Sequence, residues 1–205
     1  MQSRIVVDCS GQDGWLSSTN GNRQFDRSLM NVAVFTYFTG VDRLSGRDAG
    51  AIFCEAIDKG WFWNIPLHDG SNSIGLVVSQ PQYNAAHDPK SLFAEAIQRS
   101  VHIRRYIANS KRIEDHRVIR DYSYHSNRLH GEGFLIAGDA GNFIDPIWST
   151  GIFLATTSAK FASEALLKWL ANGSISELES YSTKVRNLVG VYEDFVKYSI
   201  QACTR

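Results

Sequence analysis

Between residues 133 and 162 the chain reads Gly-Phe-Leu-Ile-Ala-Gly-Asp-Ala-Gly-Asn-Phe-Ile-Asp-Pro-Ile-Trp-Ser-Thr-Gly-Ile-Phe-Leu-Ala and continues through Thr156 and Lys160. Phe134 to Ala137 has the composition of a short buried strand, and apolar residues at helical spacing resume only after Pro146. Between them stand one acid, Asp139, and a loop containing proline and glycine that opens a long helix. A strand that ends at a helix N-terminus makes a ligand site, so this stretch constrains both the fold and what the fold can bind.

Gly138 and Gly141 flank Asp139 and Ala140, and residues this small let a large planar or polyol ligand approach the backbone closely. Asp139 falls where the strand ends, and its carboxylate can accept hydroxyl hydrogen bonds from a sugar-like chain. Ser149-Thr150-Gly151 starts the helix, whose unpaired N–H groups and dipole favour an anion or the electron-rich edge of a cofactor. A buried strand, a tight turn and a capped helix with no ligand are built from the same small residues, so both readings stand on the residues alone.

Gly138-Asp139-Ala140, Phe143-Ile144-Asp145-Pro146 and Ser149-Thr150-Gly151 together resemble the second flavin-binding motif of the FAD-dependent halogenases, relatives of the single-component aromatic monooxygenases. Phe143, Pro146, Ser149 and Gly151 fall at the spacing F-x-x-P-x-x-S-x-G, which separates halogenases from hydroxylases. Trp61-Phe62-Trp63-Asn64-Ile65-Pro66 matches the family's W-x-W-x-I-P pattern, and Val7-Asp8-Cys9-Ser10-Gly11 is similar to its D-A-S-G segment. Read from the residues alone, the tryptophans put two rings on one face of a strand, where bulky aromatics commonly fill a core.

The resemblance implies an α/β chain that is part of a two-domain FAD/NAD(P)-binding fold, with an antiparallel sheet on the substrate side and C-terminal helices. Residues 1–30 would belong to the FAD-binding domain, 31–125 to the substrate-side sheet and helices, 126–172 to the second FAD motif and its helix, and 173–205 to the start of a helical region. The implied reaction is chlorination or bromination of an electron-rich aromatic substrate using reduced FAD, O2 and halide. Gly138, Asp139, Pro146, Gly151 and Ile152 would bind FAD, with Asp139 on the ribityl chain. The backbone amides of Thr150 and Gly151 would hold chloride or bromide, and Trp61, Trp63 and Pro66 would form the wall between flavin and substrate. The family's catalytic lysine and its G-x-G-x-x-G pyrophosphate loop have no counterpart in the sequence. The expectation is therefore of a fragment lacking roughly the first hundred residues of a two-part FAD domain, binding FAD weakly or not at all by itself. The implied partners are a flavin reductase and an aromatic substrate, free or tethered to a carrier protein, in secondary metabolism such as antibiotic biosynthesis. A flavin monooxygenase, a reductase of the prenyl-reductase type and an inactive fragment are the competing readings.

The rest of the chain fits an α/β frame. Residues 4–9 form an Ile/Val-rich run suited to a strand buried on both faces. Residues 31–39 are β-branched and aromatic throughout, and 60–67 and 73–79 form a hairpin about His68-Asp69-Gly70-Ser71. Residues 88–99 have helical spacing after Asp88-Pro89. Asp121-Tyr122-Ser123-Tyr124, within an alternating stretch at 118–125, is similar to a D-Y-S-Y segment of related halogenases. From Ile152 an apolar stripe including Leu154, Ala162, Ala165 and Leu170 runs to the stop signal Asn172-Gly173, and a second amphipathic helix, 176–200, carries Leu178, Tyr181, Val185, Leu188, Tyr192, Phe195 and Val196. Arg104, Arg105, Lys111 and Arg112 read as solvated surface, with docking of an acidic carrier protein as the sharper alternative.

Lys plus Arg and Asp plus Glu are both 21, so the formal net charge is zero and there is no electrostatic footprint for nucleic acid or an anionic membrane. The three cysteines are far apart and the histidines scattered, which predicts no structural metal and a reducing compartment. With no apolar run of ~20 residues and no leader pattern, the expected location is the cytoplasm.

Overall fold

The computed structural model describes residues 3–19, 21–120 and 122–203, with side chains placed through Ile200. Asp121 of the D-Y-S-Y segment and the side chain of Cys203 lie outside the described residues. The chain is mixed α/β and divides into two compact units, Met1–Leu29 with Tyr122–Tyr198, and Met30–Asp121 with Ser199–Arg205.

The second of these is an antiparallel sheet with helices on one face. Asn31–Thr39 pairs along its length with Asn72–Ser79, which pairs with Gly60–Pro66, which in turn pairs with Phe53–Ile57. On its other edge Asn31–Thr39 pairs with Lys111–Arg112 and Arg117–Arg120. At the expected hairpin Gly70 adopts φ 90°, which glycine supplies without strain, and Asp69 Oδ1 accepts Ser71 N–H at 2.9 Å. Val34, Phe62, Ile74 and Leu76 are fully buried, and Leu92, Phe93 and Ala96 of the helix Pro89–Arg99 close the same core. Phe62 meets Phe93 edge to face at 5.7 Å. That helix starts as the sequence predicts, with Asp88 Oδ1 accepting from Lys90 and Ser91 N–H.

A short following helix, His102–Tyr106, is fixed from below. Glu55, on the edge strand and buried, accepts hydrogen bonds from Ser100 Oγ at 2.7 Å, Val101 N at 2.8 Å, His102 N at 3.1 Å and Ile103 N at 2.8 Å. Burial alone would raise its pKa, but the Ser100 hydroxyl and the amides of Ile103, His102 and Val101 outweigh it, so the carboxyl lies below its ordinary range.

The opposite face carries Trp61 and Trp63, whose ring centroids lie 5.9 Å apart, with Phe35 at 5.8 Å from Trp63. Trp63 stands directly across from Gly75, and a Cβ on Gly75 would lie 2.0 Å from the indole Cζ2. Valine at position 75 would displace a ring that also donates from Nε1 to Ser73 Oγ at 3.1 Å. We expect Gly75→Val to destabilise the protein by about 2–3 kcal/mol, read as a lowered urea midpoint; an unchanged midpoint would show that the indole moves freely.

The first unit holds two small sheets. In one, Val6–Asp8 lies parallel to Phe134–Ile136, which pairs antiparallel with His130–Gly131. In the other, Tyr124–Ser126 is flanked by Asn142–Phe143 and Arg23–Phe25. The stretch 118–125 is thus not one strand, because Arg117–Arg120 and Tyr124–Ser126 pair in different sheets. Nor is the N-terminal strand buried on both faces. Among the described residues it has a strand partner on one side only, and Val6 and Val7 are 44% and 42% exposed.

Two helices complete this unit, the second of them as far as Tyr198. Gly151–Asn172 ends at Gly173, which takes φ 71° and returns its N–H to Trp169 O. It buries Leu154, Ser158, Ala162 and Ala165, whereas Ile152 and Leu170 of the predicted stripe are exposed, since apolar spacing marks a face wider than the one covered here. Ser176–Cys203 buries Leu178, Tyr181, Val185, Val189 and Val196, and leaves Phe195 exposed. No helix among the described residues is long and apolar enough to cross a membrane.

Candidate functional site

The parallel pairing of Val6–Asp8 with Phe134–Ile136 carries both strands to the same end. There the chain enters two tight turns, Gly11–Asp13 and Gly138–Ala140. Segments 128 residues apart, Asp8 and Ile136 among them, are thereby side by side (136 minus 8). Ala137 N donates to Asp8 O at 2.9 Å and continues the ladder by one bond. The carboxyl ends of neighbouring parallel strands are where α/β sheets open a crevice.

Around the second turn, backbone groups are satisfied by side chains from four other segments. Tyr181 Oη donates to Ile136 O at 2.6 Å, Tyr124 Oη to Asp139 O at 2.6 Å and Ser17 Oγ to Ala140 O at 2.8 Å. Gly138 N donates to Ser158 Oγ at 2.8 Å. Gly138 has φ 63°, so its contribution is conformational, its own N–H being already engaged. Arg23 lies over the Tyr124 ring at 3.9 Å and donates from Nη2 to Ser17 Oγ at 3.3 Å, tying two of these four together. Burial above all pushes the Tyr124 hydroxyl up to about 12, which keeps it a neutral donor.

The side chain of Asp139 is the exception. It is half-buried, its pKa is raised by burial, and among the described residues its carboxylate accepts no hydrogen bond. Two buried acids nearby are engaged. Asp8, buried, accepts from Ser10 N, Ser10 Oγ and Leu16 N at 3.0, 2.6 and 2.7 Å. Burial raises its pKa, the Ser10 hydroxyl and the Leu16 amide lower it by more, and the balance lies below the usual carboxylate range. Asp145, fully buried, takes Tyr122 Oη at 3.2 Å and Ile147 N at 3.2 Å.

Asp145 caps the turn Pro146–Trp148, after which Ser149 adopts φ 52°, a left-handed conformation rare outside glycine, and Thr150 precedes the helix at Gly151. A Cβ placed on Gly151 would meet nothing within 4 Å. Thr150 is buried, while Trp148 and Ile152 are 56% and 82% exposed, so the helix opens onto an uncovered shelf. Ala155, one turn on, packs against the Asp139 turn at 3.6 Å from a Cβ built on Gly138.

Gly138, Asp139, Pro146, Thr150, Gly151 and Ile152 therefore fall on one unit, on a turn and a helix start that pack together. Trp61, Trp63 and Pro66 fall on the sheet of the other unit; Trp61 is buried and the other two half-buried. Sequence reasoning missed Ser17, Arg23 and Ser158 as supports of the turn. No local pattern marks them, because each acts across a long gap in the chain.

The whole chain, residues 1–205, matches the family model described as tryptophan halogenase. The flavin-dependent halogenase armH2 of Armillaria mellea is 38% identical over 177 residues, 77% of this chain and 34% of that protein. The 1H-pyrrole-2-carbonyl-[peptidyl-carrier protein] chlorinase of Pseudomonas fluorescens is 27% identical over 205 residues, 96% of this chain and 46% of that protein. Among solved structures, the myxobacterial chondrochloren halogenase CndH superposes with a TM-score of 0.86 at 32% identity, covering 95% of this chain and 46% of that one. The chain thus spans between a third and a half of the length of these relatives. The family model matches along all 205 residues: the chain belongs to the tryptophan halogenase family.

Proposed function

We propose that this chain supplies the flavin-facing turn and the substrate-side sheet of an FAD-dependent halogenase. The observation that supports this most is the Asp139 carboxylate, half-buried and, among the described residues, without a hydrogen-bond donor on a turn whose backbone is held from several sides. Among the described residues no donor hydrogen-bonds to that acid, whereas the hydroxyls of a ribityl chain are donors of the right kind. The uncovered space at Gly151 suits a planar ring, so the residues present fit FAD.

Under this reading Asp139 grips the polyol, and Gly138, Pro146, Gly151 and Ile152 shape the seat. The Thr150 and Gly151 amides attract chloride or bromide at the positive end of the Gly151–Asn172 helix. Trp61, Trp63 and Pro66 form the wall that keeps the aromatic substrate apart. Bound reduced FAD would supply two of the four electrons that take O2 to two waters, the halide giving up the other two and so becoming an electrophilic halogen. The protein's part is to orient, to exclude water and to favour negative charge at the helix start. Residues 1–30 and 126–172 form the flavin side, 31–125 the substrate side and 173–205 the start of a helical region. A separate flavin reductase delivers the reduced cofactor, and the substrate is an electron-rich aromatic ring, free or carrier-bound.

The test is an assay of the enzyme containing this sequence with a flavin reductase and monochlorodimedone or a phenol, with and without chloride or bromide. Halide-dependent formation of a halogenated product supports the proposal; an oxygenated product without halogen overturns it in favour of a monooxygenase. A single substitution sharpens it. Because a side chain at Gly151 meets no protein atom within 4 Å, Gly151→Val will leave the thermal midpoint nearly unchanged yet lower halogenation by roughly a hundredfold, the loss of about 3 kcal/mol of ligand stabilisation. Full activity in that variant would remove the helix start from the site.

A further inference from the structure

We infer that Tyr122 and Tyr124 are paired positioning residues whose hydroxyls hold the two halves of the cofactor site in register, the acid-bearing turn at 138–140 and the helix start at Thr150 and Gly151. This rests on the halogenase reading above and adds what sets the polyol and halide positions relative to each other. Tyr124 Oη donates to Asp139 O at 2.6 Å, at one end of the connecting loop, and Tyr122 Oη donates to Asp145 Oδ2 at 3.2 Å, nearer the other. Both rings lie against Phe143, edge-on from Tyr122 at 6.2 Å and stacked from Tyr124 at 6.5 Å, so they share one side of their segment. Both residues are buried, and phenylalanine would fill nearly the same volume; the hydroxyls are what the loop uses.

The loop has little to hold its own shape. Between Ala140 and Gly151 the chain forms only the two-residue strand Asn142–Phe143 and the three-residue turn Pro146–Trp148. Ser158 ties the acid turn to the helix, but two turns beyond the helix start, which leaves the direction of the first amides to the loop. The segment bearing the tyrosines is better anchored. Tyr124 pairs with Phe25 on one side and Phe143 on the other, and Ser123 O accepts from Asp26 N at 3.0 Å. From Asp145 the order passes directly to the helix: its Oδ1 accepts from Ile147 N at 3.2 Å, Ser149 N returns to Pro146 O at 2.8 Å, and Thr150 O accepts the first helical bond from Leu154 N at 2.9 Å. Ser149, left-handed at φ 52°, keeps a conformation costly for a residue with a Cβ, which its surroundings must impose. A carboxylate held between Tyr122 and Ile147 is part of that imposition. Burial first, and Asp145 beside it, push the Tyr122 hydroxyl well above its ordinary value, so it stays a donor at neutral pH.

The experiment compares Tyr122→Phe and Tyr124→Phe with the parent in the full-length enzyme that contains this sequence. Quenching of flavin fluorescence reads FAD affinity. A bromide titration of the FAD-loaded, oxygen-free enzyme, followed by flavin absorbance, reads halide affinity, and KM for bromide in turnover checks it. The expected result is a split: Tyr122→Phe weakens bromide binding about tenfold with FAD affinity within about twofold of the parent, and Tyr124→Phe weakens FAD about tenfold with bromide affinity, at saturating FAD, within about twofold. Hydroxyls that served only the fold would lower the melting temperature and shift both ligands together, or neither. Either of those patterns, the reverse assignment, or a variant that circular dichroism shows unfolded overturns the inference. Failure of the halogenase reading shows instead in the parent, as bound FAD with no bromide response and no halide-dependent product, and takes the inference with it.

Discussion

Removing the carboxylate of Glu55 will cost about 3 kcal/mol of stability, the expected loss when one buried anion serving several donors is deleted. Ser100 Oγ and the amides of Val101, His102 and Ile103 all point at it; in the alanine variant Ile103 N keeps Ser100 Oγ, at 2.9 Å, as an acceptor, whereas Val101 N and His102 N are left facing a void. Urea denaturation of Glu55→Ala against the parent measures the effect, and a loss below about 1 kcal/mol would mean that water replaces the carboxylate. The sign of the pH dependence follows from the same contacts. The folded-state pKa lies below the ordinary value of 4.5, so the contribution is fully present above about pH 4.5 and is lost as pH falls through the folded value. Asp8 and Asp26 are also lowered, so the parent's acid sensitivity is a sum. The difference between parent and Glu55→Gln isolates this one group, and the two stability curves should converge as pH falls below 4.5.

Asparagine or alanine at position 139 should do the opposite to the empty protein and great harm to its ligand. Burial raises the pKa of Asp139 without a hydrogen bond to compensate, so its ionised form is a cost to the fold. Asp139→Asn will accordingly be at least as stable as the parent at neutral pH. In the flavin-loaded enzyme the same change will weaken FAD retention by roughly ten- to a hundredfold, equivalent to losing one or two hydrogen bonds to a charged acceptor. Quenching of flavin fluorescence measures the second effect and thermal melting the first. A variant that melts earlier while holding FAD as tightly would show that Asp139 serves the fold, and the cofactor seat would have to be sought elsewhere.

Local patterns in the chain disclosed the motif strand, its turn and the long helix after it, because backbone preference and apolar spacing act over a few residues. The Asp88 cap, the Asp69-Gly70 hairpin and the Gly173 stop were legible for the same reason. The supports of the turn were not. Ser17 reaches Ala140, and Tyr181 reaches Ile136, only after the topology has folded distant segments together. Glu55 gives no sign in the sequence of being other than a solvated acid; its meaning comes from Ser100–Ile103 arriving above it. The stretch at 118–125 misled for a related reason, since period-two alternation continues across the point where the chain passes from one sheet to another.

The turn at 138–140 is completed by Ser17 from one side of the chain and by Ser158 and Tyr181 from the other, with nearly the whole of residues 30–121 intervening. During synthesis the intervening sheet can close on itself before Val6–Asp8 and Arg23–Phe25 meet strand partners that lie 128 (Val6 with Phe134) and 99 (Phe25 with Tyr124) residues further along the chain. The acid-bearing turn thus matures after the sheet of residues 31–120, and a newly made chain passes through a stage in which that sheet is finished and the turn's long-range supports are not yet in place.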